Sequence, residues 1–184
     1  MQCAEELFYS KGYDATGVQE IVERAGVTKP TLYYYFGSKK GLLKAIFDTK
    51  FERLTPELEA VGQQQGDIRA KLYALAGVYH RFFTKEYKFF MLLMALYYSA
   101  RENEAYQIAK PYFSGFYGIV INLFEKSAAE LGNMNGRQKL FAINFIGAMN
   151  QYLTISFDEN AGMYVATEEQ IHGMVDQFMY GIFS

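Results

Sequence analysis

Proline occurs only three times in 184 residues, at Pro30, Pro56 and Pro111, and this sparseness leaves long stretches free to be helical. Glycine marks the breaks instead, at Gly12, Gly26, Gly37, Gly66, Gly132, Gly136 and Gly162. Between the breaks, apolar residues recur at helical spacing: Val18, Ile21, Val22 and Ala25; Phe141, Phe145 and Ala148; Ile171, Met174, Val175 and Phe178. No strictly alternating run is long enough to demand a strand, so the expected fold is all-α. With 51% hydrophobic and 21% charged residues the chain can bury a real core, and disorder is excluded as its main state. A lone cysteine, Cys3, rules out an internal disulfide framework. With only His80 and His172 beside it, no metal site and no cofactor are expected. No uncharged run approaches the ~20 residues of a membrane span and no signal peptide opens the chain. The expectation is a cytoplasmic protein without a membrane partner.

Charge is unevenly spread. Residues 28–53 hold six basic groups (Lys29, Lys39, Lys40, Lys44, Lys50, Arg53) against Asp48 and Glu52, whereas residues 55–184 hold ten basic and thirteen acidic groups. This asymmetry fits a nucleic-acid-facing head on an acidic body, although a solvated helix face would look the same.

Three short helices can be read between residues 3 and 36. The first carries Ala4, Leu7 and Phe8 on one face and ends near Gly12. The second is predicted to start after Thr16, with Gln19 completing a capping box, and to end in the tight turn Ala25-Gly26-Val27. The third opens with Thr28 as N-cap and Pro30 in its first turn. On a helical wheel Leu32, Tyr35 and Phe36 turn toward the other two helices. Tyr34 points away, flanked by Thr31 and Tyr33, and such a face suits a DNA major groove. Ser38 then caps a fourth helix, where Lys39 and Lys40 favour a phosphate.

Leu7-Phe8, Lys11-Gly12-Tyr13, Thr16, Ile21, Ala25-Gly26-Val27, Thr31-Leu32-Tyr33-Tyr34-Tyr35-Phe36 and Ser38-Lys39 closely resemble the tetracycline-repressor (TetR/AcrR) family. The resemblance covers about residues 3–47. It implies a helix-turn-helix DNA-binding domain over residues 1–47 and a ligand-binding and dimerisation domain over 48–184. It also implies that Thr28, Lys29, Thr31, Tyr33 and Tyr34 touch DNA, that Lys39 binds phosphate, and that Thr16 and Gly17 meet the DNA backbone. Family members usually carry another turn or two of helix before the Leu-Phe pair, so upstream residues are expected to be missing here.

The body is read as helices at about 38–54, 67–84, 87–99, 104–131, 137–158 and 168–182, with Pro56 and Pro111 at a kink or near a helix start. Residues 73–98 hold nine aromatics. Most such stripes simply fill space between helices, but the family resemblance implies a cavity for a small hydrophobic or aromatic effector. His80, Tyr98, Tyr117 and Asn150 are its polar candidates, and Phe83, Met94 and Phe113 its apolar ones. Segment 140–157 is apolar around much of its girth and must be buried on more than one side. The resemblance implies a homodimer through Phe141, Phe145, Met149 and Tyr152 with Met174, Phe178 and Ile182, which would space two recognition helices for a palindromic double-stranded operator.

The expected function is therefore a ligand-responsive transcriptional regulator, acting as a repressor released from DNA by its effector. An activator, or a protein-partnered regulator with the same head, is the alternative. An enzyme is not expected: no Ser/His/Asp order, glycine-rich phosphate loop or metal-spaced cluster is visible.

Overall fold

A computed structural model describes residues 1–132, 134–158, 163–164 and 166–181. Among these residues nine helices follow one another: α1 (Gln2–Lys11), α2 (Val18–Ala25), α3 (Lys29–Phe36), α4 (Lys39–Gln63), α5 (Ile68–Lys85), α6 (Tyr87–Tyr97), α7 (Glu104–Lys126), α8 (Gln138–Ile155) and α9 (Glu168–Tyr180). The all-α expectation holds, with one small addition between α8 and α9. Two-residue strands β1 (Phe157–Asp158) and β2 (Met163–Tyr164) pair antiparallel there, Phe157 opposite Tyr164.

Helix α4 runs nine residues past its expected end and straight through Pro56. Proline removes one backbone hydrogen bond from a helix interior. Burial of Leu54, Leu58 and Val61 at i, i+4 and i+7 holds the far side of the break in register. Pro111 is likewise inside α7, between buried Ile108 and Phe113. At its other end α7 stops at Lys126, and residues 127–131 form turns.

By its contacts the chain divides into two compact units. The first comprises Met1–Leu54 and Glu86–Ser114, the second Thr55–Lys85 and Gly115–Ser184. In the first, α1 packs along α6, and Leu7, Phe8, Leu42, Leu43, Ile46, Phe47, Phe89 and Phe90 are fully buried. Phe47 meets the rings of Phe89 and Tyr112 at 5.0 Å each, within the range of favourable aromatic pairs. In the second, α5 packs on α9, and Phe178 stands edge-on to both Phe124 and Phe145. Its helix starts are capped from within the unit. Glu130 accepts from the Ile68 N–H at 2.7 Å, and Thr167 with Gln170 forms a reciprocal capping box.

Candidate nucleic-acid interface

The turn between α2 and α3 is set by Gly26, which takes a left-handed conformation (φ 65, ψ 31) while Val27 N–H donates to the Val22 carbonyl. The chain then enters α3 through Thr28. Its Oγ1 accepts from the Thr31 N–H at 3.4 Å and lies 2.9 Å from Thr31 Oγ1. Pro30 occupies the first turn, where no N–H is needed. Leu32 is the residue of α3 that is buried, and it anchors the helix to the head. Apart from half-buried Thr31 and Phe36, the remaining side chains project outward. Tyr34 is 84% exposed and Tyr35 70%, and Lys29, Pro30 and Tyr33 are exposed beside them.

Tyr35 corrects the wheel, which turned it toward the first two helices. Eight residues make barely two turns, and Leu32 with half-buried Phe36 already fills the inner side. Tyr35 instead stands edge-on to Tyr34 at 5.1 Å, so the outward face is an aromatic pair rather than a single ring.

Two sequence-derived contacts turn inward. Thr16 is 1% exposed; its hydroxyl donates to the Gly12 carbonyl at 2.8 Å and approaches that of Leu7 at 3.3 Å. It therefore does not cap α2, whose N-cap is Gly17 without a side-chain bond, and its hydroxyl is unavailable to DNA. The Lys39 ammonium donates to the carbonyls of Tyr13 at 2.9 Å and Thr16 at 3.1 Å, and lies 4.2 Å from the centre of the Tyr13 ring. Three short-range partners leave it little capacity for a phosphate. Lys39 thus braces the start of α4 against the α1–α2 connection. Ser38 caps α4 as expected, its Oγ accepting from the Gly41 N–H at 2.9 Å. A Cβ at Gly41 would lie 1.9 Å from the Phe36 carbonyl oxygen, so the corner between α3 and α4 requires glycine there.

Half of the six cations in the basic window are also paired with carboxylates within the first unit. Lys44 pairs with Asp48 at 2.7 Å, Lys40 lies 3.9 Å from Glu104, and half-buried Lys50 is held between Glu5 at 3.1 Å and Glu86. Burial pulls the Lys50 pKa down, but the two carboxylates outweigh it and raise it. Among the described residues Lys29 and Arg53 make no ion pair. Further polar ties close this unit. Tyr13 donates to Glu104 at 2.7 Å, Tyr112 to Asp48 at 2.5 Å and Asn103 to Asp14 at 2.7 Å. Burial, then the carboxylate, pushes both phenols well above their usual pKa.

Comparison with known proteins agrees with this geometry. Residues 1–46 match the family model described as bacterial regulatory proteins, tetR family. Residues 1–46 are thus a tetR-family segment. Among its relatives, the transcriptional activator FasR of Mycolicibacterium smegmatis is 30% identical over 105 residues, 57% of this chain and 48% of that protein. The transcriptional repressor ComR of Escherichia coli is 40% identical over 57 residues, 31% of this chain and 27% of that protein. The chain thus aligns with about half, or less, of the length of these relatives. A fatty acid metabolism regulator of Clostridium perfringens shares the fold with a TM-score of 0.84 at 17% identity, covering 98% of this chain and 96% of that one. FadR of Bacillus subtilis, solved in complex with stearoyl-CoA, does so at 0.80 and 17%, with the same coverage. Among the described residues no helix is long and apolar enough to cross a membrane.

The seven residues expected around an effector do not gather in either unit. Met94, Tyr98 and Phe113 belong to the first, and Tyr98 is 79% exposed while Phe113 packs edge-on against Tyr97. His80, Phe83, Tyr117 and Asn150 belong to the second. There Phe83 is fully buried and Asn150 accepts a hydrogen bond from Tyr79. Burial lowers the His80 pKa, partly offset by Glu168.

The residues expected at a dimer interface also need reassignment. Phe145 and Met149 are buried inside the protomer, and Phe178 packs on Phe124, Phe141 and Phe145. Tyr152 and Met174 are half-buried, and Ile182 lies outside the described residues. The open apolar face of α8 lies further round the helix. It carries Leu140, Ile143 and Ile155, with Gly147, Ala148 and Gln151 between them.

Proposed function

We propose that the protein is a homodimeric transcriptional repressor that reads a palindromic operator and releases it when a small apolar effector binds. The observation that carries this reading is the outward face of α3. A short helix fixed at both ends holds Lys29, Tyr33, Tyr34 and Tyr35 in water, where aromatic rings gain nothing unless they meet another surface. Lys29 would meet phosphate, Tyr33 and Tyr34 base edges or thymine methyls, and Thr28 and Thr31 the groove wall. Gly17 keeps its place at the exposed start of α2, whereas Thr16 and Lys39 act by holding the head together.

The apolar face of α8 supports the dimer, pairing with its symmetry mate across a two-fold axis. The stearoyl-CoA complex of the FadR that shares this fold supports a long apolar effector. Release requires that the effector bind the DNA-incompetent arrangement more tightly than the competent one. The lever would be α4, an unbroken helix from Lys39 to Gln63, whose tilt would alter the spacing of the two recognition helices. Selection of random duplex DNA by the purified protein tests the reading. An enriched palindrome is the expected result, and a folded dimer that enriches nothing at low salt overturns it. The similarity to the activator FasR favours a second reading, activation through the same head. A reporter with the selected operator overlapping or upstream of the promoter separates the two.

A further inference from the structure

Resting on the reading of the chain as a homodimer, we propose that α8 recognises a second copy of itself through a reciprocal amide pair, Asn144 of one protomer against the partner's Gln151. The first observation is chemical. From Leu140 to Ile155 the helix carries no Asp, Glu, Lys or Arg, although one of its faces lies open to water. Leu140 is 52% exposed and Ile155 68%. Such a stripe, about four turns long, is ordinarily strewn with charge, and one without any suits contact with another molecule.

The order of residues along the stripe says which molecule. From either end it runs large apolar, amide, small, small, amide, large apolar: Leu140, Asn144, Gly147, Ala148, Gln151, Ile155. The steps between them also read the same in both directions. At about 100° per residue Asn144 and Gln151 lie within about 20° of each other around the helix, so the two amides mark the midline of the face. A two-fold axis between Gly147 and Ala148 sets a second α8 antiparallel to the first. Gly147 then meets the partner's Ala148, Asn144 the partner's Gln151, and Leu140 the partner's Ile155, each pair occurring twice. An isologous contact is satisfied by this order without a mismatch, whereas an unrelated protein would gain nothing from it. The small pair at the crossing lets the helix axes approach to about 8 Å, the short end of helix packing distances. The space beyond Gly147 is open, with no atom within 4 Å of where a Cβ would stand.

The amides decide the register. Among the described residues neither Asn144 nor Gln151 makes a hydrogen bond within the protomer. Each amide offers two donors and an acceptor oxygen, so one amide satisfies another reciprocally. A slip of one turn in either direction would set both amides against apolar or small side chains, buried without a partner, which is the costly outcome. Polar groups inside a helical pairing are best attested in this use, fixing register and partner at some cost in stability.

Sedimentation velocity of charge-paired variants tests the register. Asn144→Lys/Gln151→Lys sets like charges opposite each other and should weaken the dimer about a hundredfold or more. Asn144→Lys/Gln151→Glu sets opposite charges across the axis and should dimerise within about tenfold of the wild type. Both positions are exposed in the protomer, so both variants should melt like the wild type by circular dichroism. Cysteine pairing in a Cys3→Ala background reads the geometry independently. Asn144→Cys/Gln151→Cys should give a disulfide-linked dimer on oxidation. Neither single variant should, because each position lies about 10 Å along the axis from its own copy. A dimer weakened equally by both charge variants, indifferent to both, or not linked through the double cysteine overturns this pairing and leaves a dimer joined elsewhere. A wild-type chain that sediments as a monomer overturns the pairing together with the dimer on which it rests.

Discussion

Tyr34 and Lys39 lie five residues apart and answer to different demands. The Tyr34 ring is in water, and the Lys39 ammonium is bonded to two carbonyls of its own head. Tyr34→Ala should therefore weaken operator binding by about 1–3 kcal/mol while barely changing affinity for random DNA, read by fluorescence anisotropy on both duplexes. An equal loss on both would make Tyr34 a backbone contact. Lys39→Met should instead lower head stability by about 1–3 kcal/mol, through the Thr16 carbonyl left without a donor, and leave the salt dependence of DNA binding unchanged. Lys29→Ala should do the reverse, cutting the slope of log affinity against log salt by about one with little change in melting temperature. A salt slope that falls in Lys39→Met and not in Lys29→Ala would reverse these roles. Sequence could place Lys39 at the start of a helix, but its partners come from residues 23 and 26 positions earlier, and local patterning carries no record of such a bond.

At the scale of elements, the short helices of the head were legible because each is punctuated chemically. Gly26 needs its left-handed turn, Thr28 and Ser38 cap, and Pro30 can only open a helix. The long helices were less so. Pro56 reads as a boundary in sequence, and only the burial of Leu58 and Val61 beyond it shows why α4 continues. Similarly, the phenylalanines of α8 signal burial without saying against what, and the structure turns them inward. The α3–α4 corner offers a direct test. Gly41→Ala sets a methyl group against the Phe36 carbonyl, so the corner must open. The expected outcome is a loss of about 1–3 kcal/mol with a disproportionate loss of operator affinity, because α3 is displaced from its neighbour. Normal melting and normal operator binding in Gly41→Ala would show that the corner is not held this tightly.

For the whole molecule, pH and association give independent readouts. Tyr13 and Tyr112 hold their protons above the ordinary phenol value of 10.0, and Lys50 above its ordinary 10.5. All three are raised, so the stability they contribute is complete below about pH 10 and declines as pH climbs beyond it. Circular dichroism during alkaline titration should show that decline, and Tyr112→Phe should make it shallower. Ile143→Glu on the open face of α8 should convert the proposed dimer to a folded monomer by sedimentation velocity, whereas an unchanged dimer would place the interface elsewhere. The internal pairing of Lys40, Lys44 and Lys50 has a consequence for how the proposed regulator would find its target. With Lys40, Lys44 and Lys50 each beside a carboxylate, the long-range field that would speed encounter of the proposed DNA-binding head with DNA is weakened. Under the proposed function, occupancy of an operator would then depend on how long the protein stays after a rare arrival, and a signal that shortens that stay would clear the site at once.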